Sequence, residues 1–202
     1  MVKCVVTGHK GFVGSQLCKE LLNLDYDYMG VEKDIFNNEK WNVELENKLS
    51  NYGPDVIFHV GACSDTLESD ANYMMTLNYE FTKILTNWCV KENIPIIYSS
   101  SAANYGENSV HPSNLYGWSK YAAEDYVNLS NGVSLRYFNV YGPGEERKGR
   151  MSSIIYQSYV KKNKGEEVLL FPGKPTRDFV YVKDIVNANL YAFENYKKVR
   201  GR

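Results

Sequence analysis

The chain has 202 residues, 44% hydrophobic and 14% aromatic, enough apolar material for one well-buried domain with a small appendage and too aromatic for a disordered segment. Its 23 Lys+Arg and 24 Asp+Glu leave a net charge of -1, so nothing in the balance calls for nucleic acid or an anionic membrane. No apolar run approaches about 18 residues, which argues against a membrane span.

Cys4, Cys18, Cys63 and Cys89 have neither metal nor redox spacing and read as buried free thiols of a reducing cytosol. No metal site is expected. The strand-like Val2-Lys-Cys-Val-Val6 stands at the very start, so no signal peptide is expected and a cytoplasmic location is.

In chain order, residues 2–7 are a β-branched apolar run, predicted as a buried strand. It enters Thr7-Gly8-His9-Lys10-Gly11-Phe12-Val13-Gly14. A helix follows, with Phe12, Val13, Leu17, Leu21 and Leu22 on one apolar stripe. The three glycines let the backbone turn sharply, approach a pyrophosphate and pack helix against strand, and the first helical amides meet the phosphate charge. Glycines also simply make loops. The strand-turn-helix context is what points to a dinucleotide site at Gly8, Gly11, Phe12, Val13 and Gly14.

The next strand, 28–31, ends in Glu32-Lys33-Asp34. Glu32 comes 18 residues after Gly14, close to the ~20 expected for a carboxylate that takes a ribose diol; the plainer alternative is a solvated strand end. A carboxylate repels the extra phosphate of NADP and Lys33 attracts it, so NAD and NADP both stay open. Residues 55–61 form a further buried strand, and Ala62-Cys63-Ser64-Asp65-Thr66 is the loop at its carboxyl end, where ligands of open parallel sheets sit.

Residues 70–93 read as one long helix with Met74, Leu77, Phe81, Ile84, Leu85 and Trp88 inward. A strand at 94–98 delivers Ser99–Ser101, and a helix over 116–129 carries Tyr116 and Lys120 one turn apart on one face. A free phenol has a pKa of about 10; a neighbouring ammonium favours the phenolate, as abstraction of a carbinol proton requires. The same spacing is common on solvated helix faces, and the chain has 17 tyrosines. Spacing alone does not decide.

Residues 133–138 are predicted as a strand ending in Asn139-Val-Tyr-Gly-Pro143. Residues 144–151, with Lys148 and Arg150, read as a substrate loop or a plain solvated one. A helix at 152–162, a strand at 168–171, Arg177–Val182 and an apolar helix to about Tyr196 complete the chain. Alternating strands and helices with short joins predict an α/β fold with a doubly wound parallel sheet.

Together, Thr7–Gly14, His59–Ala62, Ser99–Gly106, Tyr116–Lys120, Arg136–Pro143 and Arg177–Asp184 resemble the extended short-chain dehydrogenases/reductases, the NAD(P)-dependent sugar-nucleotide epimerases and dehydratases, over essentially the whole chain. The resemblance implies a Rossmann-type domain at 1–142. It also implies an incomplete small substrate domain at 143–202, with segments returning to the first. Ser101, Tyr116 and Lys120 become the catalytic trio, Ser101 because it lies four before Tyr105 in a Ser-x-x-x-Tyr-Gly pattern. The family's dehydratases carry Asp-Glu directly after that serine or threonine; Ala102 and Ala103 here cannot transfer protons, which leaves epimerisation or simple redox.

Within the epimerases, Gly61–Thr66, Tyr73–Met75, Asn78-Tyr79, Arg136–Pro143, Lys148-Gly149 and Met151 resemble a branch that acts on a nucleotide-linked heptose. That likeness implies Lys148 as a second base. It implies Ser64, Asp65, Ser101, Asn139, Lys148, Phe171 and Arg177 around the sugar nucleotide, the arginine by its charged fork. Gly61, Ala62, Tyr116 and Lys120 would adjoin the cofactor, and Asn78 would support the hydrogen-bond network. Asn42, beside Val43, stands where the family often has an acidic residue at the adenine.

Two departures are the shorter join between Gly106 and Tyr116 and the end at Arg202, where relatives continue. A UDP-hexose 4-epimerase, or a nucleotide-binding module without catalysis, fits the motifs too. The oligomeric state stays open, a homo-oligomer among the options.

Overall fold

The computed structural model of the protein describes residues 1–106, 111–170, 172–173 and 176–201. Strands β1 (Lys3–Thr7), β2 (Asp27–Val31), β3 (Val56–His59), β4 (Ile96–Ser101) and β5 (Val133–Tyr137) form one sheet in the order β2-β1-β3-β4-β5. Every pairing is parallel. Successive side chains of a strand point to opposite faces, and β1 shows the result. Val5 joins Leu45, Leu49, Leu85, Trp88 and Val127 on one face. Cys4 and Val6 join Leu17, Leu21, Val186 and Leu190 on the other. The sheet is therefore covered on both sides, as the predicted doubly wound architecture requires.

The first layer comes from α2 (Trp41–Tyr52), α3 (Ala71–Met75), a π-helical turn (Thr76–Glu80), α4 (Phe81–Glu92) and α5 (Leu115–Leu129). The second comes from α1 (Phe12–Asn23) and α7 (Val182–Glu194), extended by α8 (Tyr196–Val199); α6 (Ile154–Asn163), which precedes α7, buries none of its residues. Burying a large aliphatic side chain is worth about 1.5–3 kcal/mol, so these two layers dominate the folding energy. Among the described residues, no helix is long and apolar enough to cross a membrane.

Several expectations change. The long helix over 70–93 exists, but its middle turn is π-helical, which inserts one extra residue and turns the buried Asn78 inward. Helix α2 carries a sparse apolar pattern, with only Leu45 and Leu49 fully buried, and periodicity alone misses it. Leu22 is 58% exposed, because 100° of helical rotation beyond Leu21 carries it off the sheet. β4 runs on through its serines, since Ser99, Ser100 and Ser101 pair with Leu135, Arg136 and Tyr137.

The strand expected at 168–171 does not form over 168–170. Leu169 and Leu170 are 70% and 72% exposed, and no described strand pairs with them; an unpaired strand leaves its amides to water. Phe171 lies outside the described residues, as does part of the join at 107–110. Instead β6 (Asn139–Tyr141) pairs in parallel with β7 (Phe179–Tyr181).

Candidate active site

The carboxyl ends of β1, β3, β4 and β5 open on a cleft of about 1190 Å³. Parallel sheets gather their loops there, so distant motifs meet. At one end Gly8 turns with φ +66°, and its N–H donates to Val31 O at 2.8 Å. A Cβ on Gly14 would lie 2.1 Å from Gly8 O, and one on Gly61 2.9 Å from Gly8 N. Only bare backbone fits at this crossing. Gly11 caps α1 with no side chain to offer; the first-turn amides, which lack intrahelical partners, lie at Phe12, Val13 and Gly14 on the cleft wall. This cradle fits the diphosphate of a nicotinamide dinucleotide. Glu32 and Lys33 line the same end. The Glu32 carboxylate accepts the Lys10 N–H at 2.6 Å and lies 3.1 Å from His9 Nδ1.

A buried relay ties this cradle to the centre. Thr82 Oγ1 donates to Asn78 O at 2.6 Å, so it can only accept from His59 Nε2, 2.8 Å away. His59 Nδ1 then accepts from Thr7 Oγ1 at 2.7 Å, and Thr7 Oγ1 accepts the Gly61 N–H at 2.9 Å. Burial, aided by the Lys120 charge, pushes the imidazole down to about 3, in keeping with this neutral form.

Tyr116 and Lys120 both reach the cleft from α5, and Ser101 reaches it from the end of β4. The Ser101 hydroxyl bonds the Tyr116 phenol and lowers its pKa, while burial, the larger influence, raises it. Lys120 is 2% exposed, its ammonium 4.2 Å from the Tyr98 ring centroid. Burial drives it down to about 7, and Glu124 pulls the other way. Asn78 does not line the cleft. It accepts the Cys63 N–H at 2.7 Å and donates to Ser119 Oγ at 2.9 Å, and Ser119 Oγ donates to Tyr116 O at 2.8 Å. Cys63 itself is half-buried and lines the cleft, unlike the other three cysteines.

Ser64, Asp65, Asn139, Lys148 and Arg177 also join the lining. Lys148 Nζ lies 3.5 Å from the fully buried carboxylate of Glu145 and 5.6 Å from the Phe12 ring centroid. Asn139 Nδ2 donates to Asp178 O at 3.0 Å. Asp65 pairs with Arg150, which holds its carboxyl below the usual range. Two expected cofactor residues are not brought here: Asn42 and Val43 occupy the first turn of α2, away from the lining, with Val43 54% exposed. Sequence reasoning missed Glu124, Arg136, Glu145 and the Thr7–His59–Thr82 relay. Of these only Glu124 carried a legible signal, four residues beyond Lys120.

The family described as NAD dependent epimerase/dehydratase matches residues 4–202. The ADP-L-glycero-D-manno-heptose-6-epimerase of Brachyspira hyodysenteriae is 37% identical over 231 residues, covering 96% of this chain and 73% of that protein. The crystal structure of the ADP-L-glycero-D-manno-heptose-6-epimerase of Helicobacter pylori is similar with a TM-score of 0.86 at 29% identity, over 96% of this chain and 73% of that one. The UDP-glucose 4-epimerase of Thermotoga maritima, solved with UDP-glucose, gives 0.85 at 26% identity, over 96% and 74%.

Proposed function

The chain belongs to the NAD dependent epimerase/dehydratase family, and from that premise we propose that it interconverts two epimers of a nucleotide sugar by transient oxidation and re-reduction. ADP-linked glycero-manno-heptose is the preferred substrate. The observation that carries the reading is the meeting of Ser101, Tyr116 and Lys120 in the cleft that the glycine cradle also lines.

The chemistry that a nicotinamide dinucleotide supplies when bound is reversible hydride acceptance. Tyr116 takes the carbinol proton as the carbon loses its hydride, leaving a carbonyl. The Ser101 hydroxyl donates to that oxygen. Lys120, charged beside the phenol, favours phenolate in the oxidising direction. Return of hydride to the other face of the carbonyl, with a proton to its oxygen, gives the opposite epimer and no net redox change.

Lys148 is the proton-transfer group for that second epimer. The ion pair with Glu145 keeps its ammonium at the cleft wall. Arg177 pairs with the pyrophosphate of the sugar nucleotide, and Ser64, Asp65 and Asn139 contact its sugar. Gly8, Gly11, Gly14 and Glu32 hold the dinucleotide. Residues 1–142 act as the dinucleotide domain; residues 143–202 supply substrate-side groups, and α7 packs back on the sheet.

The similarity to the UDP-glucose 4-epimerase supports a second reading, a hexose C4 substrate. The test supplies either ADP-heptose epimer, or UDP-glucose, with NAD or NADP, and follows the products by NMR. Appearance of the partner heptose epimer from both directions supports the proposal. Turnover of UDP-glucose alone replaces it with the second reading, and no conversion of either overturns it.

A further inference from the structure

Tyr116, Lys120 and Glu124 recur every fourth residue along α5 and share one face; the reaction above uses only the first two. Glu124 is 5% exposed, and a carboxylate leaves water at tolerable cost only when its lone pairs are filled. Arg136 of β5 donates Nε at 3.0 Å to both oxygens and Nη2 at 2.6 Å to Oε1. Asn104 Nδ2 donates to Oε2 at 2.9 Å, and the Ser100 hydroxyl donates to the same oxygen. Ser100 precedes Ser101, and Asn104 sits in the 3-10 turn Ala102–Tyr105 that Ser101 caps by accepting the Ala103 N–H at 3.1 Å. One carboxylate therefore fixes the backbone on both sides of the serine. One turn away, Lys120 has no carboxylate within ion-pair distance among the described residues.

We propose that Glu124 is a positioning residue of the proton-transfer pair: it holds Ser101 against Tyr116 through Ser100 and Asn104, and its negative charge favours the ammonium form of Lys120. The inference rests on the reading of Tyr116 and Lys120 given above. The groups facing Lys120 are Tyr98 from β4, His59 from β3, Tyr116 and Glu124 from α5; Arg136 faces Glu124 from β5 and offsets part of its charge. Burial lowers the Lys120 pKa and Glu124 raises it, so loss of that charge moves deprotonation of Lys120 to lower pH.

The test is NMR titration of the lysine Cε signals in isotope-labelled, cofactor-free protein, the Lys120 signal being assigned by its loss in Lys120→Arg. Glu124→Gln should move the midpoint down by about one pH unit, because Arg136 offsets part of the roughly two units that a unit charge one helical turn away gives at an effective dielectric of about 20. Glu124→Asp keeps the charge and should leave the midpoint within a few tenths of a unit. Its shorter reach to Ser100 should still lower kcat several-fold with KM unchanged.

An unmoved midpoint in Glu124→Gln, or equal shifts in both variants, overturns the proposal. If Glu124→Gln does not fold, the double variant E124Q/R136Q, which removes both members of the ion pair and so leaves neither alone, takes its place with a smaller shift of the same sign; no shift there overturns the proposal equally. The titration needs no substrate, so failure of the epimerase reading shows separately, as absent turnover in the unsubstituted protein.

Discussion

The Lys120 ammonium stands 4.2 Å from the centroid of the Tyr98 ring, and both side chains are buried. A ring face stabilises a desolvated cation by about 2 kcal/mol, less than burial costs it, and Lys120 titrates near 7 in place of 10.5. Between those values the unfolded chain binds the extra proton, so this group makes stability rise with pH from about 7 to 10.5. Below that window both states are protonated and the burial penalty is full. We expect the denaturant midpoint of the unsubstituted protein, minus that of Lys120→Met, to climb across this window. A flat difference contradicts burial of a charged lysine.

Tyr116→Phe removes only the phenol oxygen. Turnover should fall roughly a hundredfold or more, the scale of a lost acid–base group, while dinucleotide binding measured by native mass spectrometry persists. Unchanged turnover contradicts the role of Tyr116. If the protein is a binding module without catalysis, the substitution leaves its biological effect intact.

Lys148→Ala separates the two directions. With two proton-transfer groups on one carbonyl, losing Lys148 should slow oxidation of one epimer more than the other, and Tyr116→Phe should show the reverse bias. Initial rates with each epimer check this. Equal losses with both epimers count against two-base chemistry.

Gly14→Ala adds a Cβ that would meet Gly8 O at 2.1 Å. Backbone on backbone cannot yield as a flexible side chain does, so about 1–3 kcal/mol of stability should be lost, with weaker dinucleotide binding. Thermal unfolding with and without NAD measures both. Retained affinity would mean that the cradle does not hold the diphosphate.

How much of this was legible in the sequence follows from the range of each signal. Strand-turn-helix at Thr7–Gly14 is local chemistry, and the Tyr116/Lys120 pair follows from helical spacing; the fold has that strand, turn and helix, and it puts both side chains of the pair in the cleft. Helix α2 was missed because only Leu45 and Leu49 anchor it, too few to set a period. The strand expected at 168–171 shows the converse: an apolar run is not a strand without an edge to pair with. The relay through His59 joins residues 52 and 23 positions apart, and Arg136 meets Glu124 where α5 packs against β5. No periodicity reports such contacts. Glu124 was reachable by the spacing that found Lys120, but a carboxylate on a helix reads as solvated until the fold buries it.

The central claim is that a hydride leaves one carbon and returns to the same carbon. The most direct measurement uses ADP-heptose deuterated at C6, incubated in ordinary water with the protein and its dinucleotide. Transient oxidation predicts that the opposite epimer keeps its deuterium, with no net accumulation of reduced cofactor. Epimerised product in which the deuterium has exchanged for solvent hydrogen would contradict the account.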